Sequence, residues 1–265
     1  MELNLVLPFF TTVIMLIFVI IVFRRYLESR KLHFLFWGIG LAMFGAASFA
    51  EAYLALSWSP WVFFIWYIFG ATLTAAWIGH GTLHLLIRKR WAHMATLILV
   101  LASLFAALVL VNTLPILDTE VFNLSIPISE QYRTNVIEPG ETIGPNVQIA
   151  QQEIDGEQVA VQRGLLPLGS SVRRNTILFN IYGTLTLVGG AIWSAYLFWR
   201  KRVLPNRVLG NVLIAAGALL IAFASTLTRL GYGQFLYLAE LLSAVIMFAG
   251  FLVTSKPQTE TGKAS

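Results

Sequence analysis

Seven apolar segments, each long enough to cross a bilayer as a helix, constrain this sequence more than any other feature. A membrane-spanning helix needs roughly 20 mostly apolar residues. The segments lie at about residues 5–23, 33–56, 61–87, 92–112, 176–199, 208–230 and 235–254. Only 12% of the residues are charged, whereas a soluble domain has about 25%. The sequence therefore predicts an all-α integral membrane protein, a seven-transmembrane helix bundle.

The first segment is interpreted as a retained span rather than a signal peptide. No basic residue precedes it, no small-residue cleavage site follows it, and Arg24 and Arg25 come directly after it. The predicted domains are 1–112 with helices one to four, 113–175 as a loop or cap, 176–255 with helices five to seven, and a disordered cytoplasmic tail at 256–265.

The basic residues are distributed unevenly between the two sides that alternating spans define. One side carries 13 of the 18, namely Arg24, Arg25, Arg30, Lys31, Arg88, Lys89, Arg90, Arg200, Lys201, Arg202, Arg207, Lys256 and Lys263. Because cytoplasmic loops are enriched in Lys and Arg, the N-terminus is expected outside and the C-terminus in the cytoplasm of a plasma-membrane protein. These clusters suit anionic lipid headgroups, so the bilayer and not nucleic acid is the expected partner.

Residues 113–175 are too long for a plain connection between spans. Within them, Gln148 to Ile154 and Glu157 to Arg163 flank Asp155-Gly156, a dipeptide that favours a tight hairpin turn. We expect a small β-rich extracytoplasmic cap between spans four and five. A protein partner would bind through this cap or through the cytoplasmic loops, and the oligomeric state stays open.

Two glutamates and an arginine lie inside the spans, where ionisable residues are costly and mark a function or a partner. Glu51 and Glu240 each lie about five residues from the outer end of a span, and Arg229 ends the neighbouring one. The residues near the same level are Asn180, Tyr53 and Tyr237. One interpretation is an outer-leaflet polar pocket that binds a small ligand or lipid headgroup, or relays protons; the other is a structural ion-pair cluster.

Span six carries small and polar residues on one helical stripe: Asn211, Ala215, Ala218, Ala222, Ser225 and Arg229. Stripes of this kind are usually helix-packing seams in membranes. The alternative is the lining of a pocket, because both ends of the stripe are polar.

His80 and His84 are one helical turn apart in span three, and such pairs can bind a metal jointly. A hydrolytic zinc site needs a third protein ligand, which His33 or His93 would have to supply. The sequence contains no cysteine, so thiolate ligands and Cys nucleophiles are excluded. The alternative is that these histidines extend towards lipid headgroups.

Seven spans with the N-terminus outside resemble the retinal-binding rhodopsins, but every lysine lies in a loop or the tail, so a retinal Schiff base is excluded. The HxxxH pair loosely resembles membrane hydrolases such as the alkaline ceramidases. Those have a histidine in the last span and an intramembrane Asp, and this sequence has neither.

Three functions follow, in this order. The first is a non-enzymatic sensor, receptor-like module or membrane-complex subunit, favoured by the lack of a catalytic constellation. The second is a metal-dependent intramembrane hydrolase using His80 and His84. The third is a proton-coupled transporter using Glu51 and Glu240.

Overall fold

The computed structural model describes residues 2–137, 148–154, 156–200, 205–229 and 235–255. Within them, seven long helices are apolar and long enough to cross a membrane. They are α1 (Glu2–Ser29), α2 (Leu32–Leu54), α3 (Pro60–Leu86), α4 (Lys89–Thr113), α5 (Ser171–Arg200), α6 (Pro205–Arg229) and α7 (Leu236–Ser255). The prediction of a helical chain with long apolar helices is confirmed.

Two local sequence features set the ends of the first three helices. Arg30 adopts a left-handed conformation (φ 54°), and its backbone N–H donates to the Tyr26 carbonyl at 2.7 Å, which closes α1 and turns the chain directly into α2. The side chain of Ser59 accepts a hydrogen bond from the Val62 N–H at 3.4 Å, and Pro60 occupies the first turn of α3. Both features supply hydrogen-bond partners to backbone groups at helix ends that would otherwise have none.

Helix α3 is the most buried of the seven, and residues Trp66–Leu73 within it are π-helical. π-Helical turns are rare and occur frequently at functional sites. Further along α3, a Cβ atom on Gly79 would meet the backbone of Gly183 in α5. The absence of a side chain there lets α3 and α5 cross closely, as small residues do in membrane bundles.

A small antiparallel sheet lies between α4 and α5, as the sequence predicts. Its strands are β1 (Asn135–Val136), β2 (Ile149–Ile154) and β3 (Glu157–Gln162), in the order β1-β3-β2. Ile154 pairs with Glu157, which leaves a two-residue turn, and Gly156 has the positive φ (84°) that such turns require. Asp155 and the predicted tail 256–265 lie outside the described residues.

The connecting segment (residues 117–137, 148–154 and 156–170) is packed onto the helices. Leu165, Leu166 and Ile128 are buried in one apolar cluster with Phe63 and Tyr67 of α3. The two ends of the segment are also tied together by an ion pair between Arg163 and Asp118. The segment therefore forms a folded layer over one end of α2 and α3.

Candidate functional site

Glu51 is held in the interior by an aromatic donor from the π-helical turn. Its side chain is only 4% exposed, and its Oε1 accepts a hydrogen bond from the indole Nε1 of Trp66 at 2.8 Å. The π-helical register of Trp66–Leu73 therefore presents this indole to α2.

The second glutamate lies beside the first. The carboxyl groups of Glu51 and Glu240 lie within hydrogen-bonding range of each other. Apart from the partner carboxyl, no donor among the described residues reaches the buried Oε2 atom of either one. Because ionised carboxylates only accept hydrogen bonds, a bond between the two requires one proton held by the pair.

These carboxyls line a cavity of about 290 Å³, referred to below as the acidic cavity. Ser129, Tyr132 and Arg133 of the connecting segment also line it. Most of the remaining lining is apolar and comes from α2, α3, α5, α6 and α7. Its volume is near the lower end of the roughly 300–1,000 Å³ typical of ligand pockets, so only a small ligand fits.

The other predicted site residues divide between the cavity and its surroundings. Asn180 lines the cavity, where its Nδ2 donates to the Ala71 carbonyl of the π-helical turn at 3.2 Å. Tyr237 is buried beside both glutamates and beside Ser129. Tyr53 is 38% exposed and does not line the cavity. The Arg229 side chain lies outside the described part of the structure, so its predicted contact with Glu240 stays a prediction.

The small-residue stripe of α6 lines cavities as well as packing against α7. Ala218, Ala222 and Ser225 line the acidic cavity. Asn211 lines a second cavity of about 910 Å³, referred to below as the basic cavity. Of the two interpretations of the stripe, a helix-packing seam or a pocket lining, the second therefore applies to these residues.

Three apolar side chains line both cavities. Ile78 of α3, Leu187 of α5 and Met247 of α7 are each about 5% exposed or less. The two cavities therefore lie back to back along the bundle, separated by a thin apolar layer.

The predicted histidine pair shares one hydroxyl group. Thr96 Oγ1 of α4 lies 2.8 Å from His80 Nε2 and 3.0 Å from His84 Nε2, and it donates to the Ala92 carbonyl. A hydroxyl that donates its one proton to a carbonyl can only accept from both imidazoles. The network therefore assigns a proton to each Nε2, and His80 Nδ1 then accepts from the Tyr182 hydroxyl at 2.7 Å.

The other two histidines do not complete a metal site among the described residues. The His93 ring lies 5.7 Å from that of His84, but its Nδ1 bonds the Lys89 carbonyl at 2.6 Å. His33 packs against Trp37. Within the described part of the chain, no group of three or more His, Cys, Asp or Glu residues is arranged to hold a metal ion.

Sequence reasoning missed Trp66, Tyr132 and Arg133 as cavity residues. Trp66 appears in the sequence as an interfacial aromatic, and Tyr132 and Arg133 lie in the long connection. The only signal was that this connection is too long to be a plain loop. The sequence matches no known protein-family model, and no curated protein or solved structure resembles the chain significantly.

Proposed function

We propose that this chain is a seven-span plasma-membrane protein that binds a small ligand, lipid or partner group in the acidic cavity. It acts as a non-enzymatic sensor, receptor-like module or membrane-complex subunit. Its N-terminus and the connecting segment lie outside the cell, and its C-terminus lies in the cytoplasm. The observation that carries this proposal is a buried carboxyl pair in a mostly apolar cavity, with Oε2 atoms that no donor other than the partner carboxyl reaches among the described residues.

The chemistry of the cavity favours a ligand with an amine. The Oε2 atoms, which no donor other than the partner carboxyl reaches among the described residues, can accept hydrogen bonds, and an ammonium group supplies three donors and a positive charge. The apolar walls favour a short hydrocarbon on the same molecule. Tyr132 and Arg133 lie at the connecting-segment end of the cavity, where they can contact a bound ligand.

Ligand binding is tested by thermal unfolding of the purified chain with butylamine and hexylamine, each compared with the alcohol of equal length. The amines should raise Tm more than the alcohols do. The difference should disappear in a Glu51→Gln, Glu240→Gln variant and persist in Glu157→Gln, a control on the exposed part of β3. Equal shifts for amines and alcohols in the unsubstituted chain would overturn the proposal.

The proposed sidedness has its own test, because the chain has no cysteine of its own. Glu120 in the connecting segment is exposed, and Arg90 is exposed at the start of α4. A membrane-impermeant maleimide applied to intact cells should label a Glu120→Cys variant and leave an Arg90→Cys variant unlabelled. Labelling of Arg90→Cys alone would reverse the topology.

Proton-coupled transport is the second candidate, favoured by the three side chains shared between the cavities. Ile78, Leu187 and Met247 form the one layer between the acidic and basic cavities along the described residues. Apolar constrictions of this kind gate permeation by excluding water. The carboxyl pair on one side of the layer holds a proton that can be exchanged.

Reconstituted vesicles containing a pH-sensitive dye test this second candidate. A potassium gradient with valinomycin drives protons inward, and the chain should acidify the lumen faster than protein-free vesicles. A Glu51→Gln, Glu240→Gln variant should remove the difference, while Glu157→Gln should keep it. Flux equal to that of protein-free vesicles would exclude transport and leave ligand binding intact.

A further inference from the structure

The basic cavity has a charged rim at the helix ends opposite the connecting segment. Arg25, Lys31 and Arg207 contribute their side chains to its lining. Among the described lining residues Glu28 is the one acid, and it pairs with Arg25 at 3.6 Å. The rim therefore has an excess of positive charge.

The walls below this rim are apolar. Phe18 and Val22 of α1, Phe34 of α2 and Phe251 of α7 line the cavity between the helices. The amide side chain of Asn211 adds a hydrogen-bond donor on the α6 side. A ligand that fits this lining has an anionic polar end and a hydrocarbon part.

The depth of the cavity corresponds to one leaflet of a bilayer. Its lining extends along α7 from Ser255, at the end of the helix, to Met247. Eight residues at 1.5 Å per residue give a depth of about 12 Å. Half of a bilayer hydrocarbon core is about 15 Å.

We propose that the basic cavity binds one anionic phospholipid from the adjacent leaflet. The lipid phosphate lies between Lys31 and Arg207, and one acyl chain extends past Phe34 and Phe251 towards Met247. The volume of about 910 Å³ is near the upper end of the range for ligand sites, as a site for part of a lipid requires. Basic pockets between membrane helices recognise anionic headgroups in this way. The site is separate from the acidic cavity and does not depend on its function.

The test uses the full chain purified in an uncharged detergent, with dioleoylphosphatidylglycerol and dioleoylphosphatidylcholine as probes. The anionic lipid should raise Tm by several degrees more than the zwitterionic one, and native mass spectrometry should retain one anionic lipid per chain. Each membrane-surface cation contributes about fivefold in affinity. A Lys31→Gln, Arg207→Gln variant should therefore bind the anionic lipid about 25-fold more weakly.

A matched control separates this site from general surface attraction. Lys89 and Arg90 are exposed basic residues at the start of α4 that do not line the cavity. A Lys89→Gln, Arg90→Gln variant should bind the anionic lipid as the unsubstituted chain does. Equal weakening in both variants, or equal shifts with the two lipids, would overturn the proposal. An equal shift with sn-glycerol 3-phosphate would also overturn it, since a free anion would then suffice.

Discussion

Two pairs of polar side chains between the helices differ in the donors that reach them. The imidazoles of His80 and His84 both donate to Thr96, and His80 also bonds Tyr182. The carboxyls of Glu51 and Glu240 each have an Oε2 atom that no described donor other than the partner carboxyl reaches. Nearly all buried polar groups in folded proteins have partners. The glutamate pair is therefore the more informative exception.

The two pairs also differ in what surrounds them. Both histidines lie on α3 and are covered by Phe36, whose ring stacks on His84 at 4.7 Å. The glutamates come from α2 and α7, which are far apart in sequence, and they meet beside a cavity. A hydrogen-bonded network within a packed interface fixes helix positions, whereas a carboxyl pair beside a cavity can accept a ligand.

The largest expected effect comes from removing the hydroxyl that the histidines share. Valine at position 96 has the shape of threonine but leaves two imidazole N–H groups without an acceptor. Each unsatisfied buried donor costs about 1–3 kcal/mol. Because His84 is only partly buried, Thr96→Val should lower the free energy of unfolding by about 2–4 kcal/mol, measured by unfolding in mixed detergent micelles.

Thr113→Val is the control for this substitution. Thr113 lies on the same helix, is buried, and donates to the Val109 carbonyl four residues earlier. Its loss should cost less than about 1 kcal/mol. Equal costs at positions 96 and 113 would mean that the histidine network contributes nothing beyond the intrahelical bond.

The next effect concerns the glutamate pair. Trp66→Phe removes the one indole donor to Glu51 Oε1 and should cost about 1–3 kcal/mol, because a buried carboxyl oxygen loses its partner. Trp77→Phe is the matched change on the same helix, where the acceptor is the Ser103 hydroxyl at 3.2 Å. Ser103 keeps its bond to the Leu99 carbonyl, so Trp77→Phe should lower the free energy of unfolding by less than Trp66→Phe does. A larger loss of unfolding free energy in Trp77→Phe than in Trp66→Phe would contradict the importance assigned to the Trp66–Glu51 hydrogen bond.

Much of the fold follows from one-dimensional patterns that the sequence displays directly. Apolar length predicts the long helices, and a turn dipeptide between β-favouring stretches predicts the β2–β3 hairpin. The sequence places Glu51 and Glu240 at similar depth in their spans and so predicts one polar pocket for both, because ionisable residues within spans are rare, but it does not predict their direct contact. Each of the two glutamates lies about five residues from the outer end of its predicted span.

Other parts of the site depend on helix rotation and on backbone irregularity, which these patterns do not encode. The π-helical register at Trp66–Leu73 aims Trp66 at Glu51, and no residue in that turn marks it as irregular. Arg133 reaches the cavity through tertiary packing of the connecting segment. Tyr53 faces outward although it is only two residues from Glu51, because successive helical residues differ by about 100°.

A smaller effect is expected at a third carboxyl, next to a cavity residue. Glu130 follows Ser129 in the connecting segment, and partial burial raises the pKa of its carboxyl. The folded state therefore favours the protonated form, so stability is greatest at low pH and falls as pH rises from about 4.5 through the raised pKa. Glu130→Gln should flatten this part of the pH–stability curve by well under 1 kcal/mol, because the side chain is still partly in water. Glu157→Gln, at an exposed position, should leave the curve unchanged.

The smallest expected effect is none, and it concerns metal binding by the histidine pair. Both ring nitrogens of His80 are hydrogen-bonded, to Tyr182 and to Thr96, so joint binding of a metal by the two histidines would have to break one of these bonds. Elemental analysis of the protein purified with added zinc should therefore find much less than one zinc per chain. The content should be the same in a His80→Ala, His84→Ala variant. Stoichiometric zinc that is lost in this variant would instead support the hydrolase. The histidine pair, rather than the glutamate pair, would then be the one that binds a ligand.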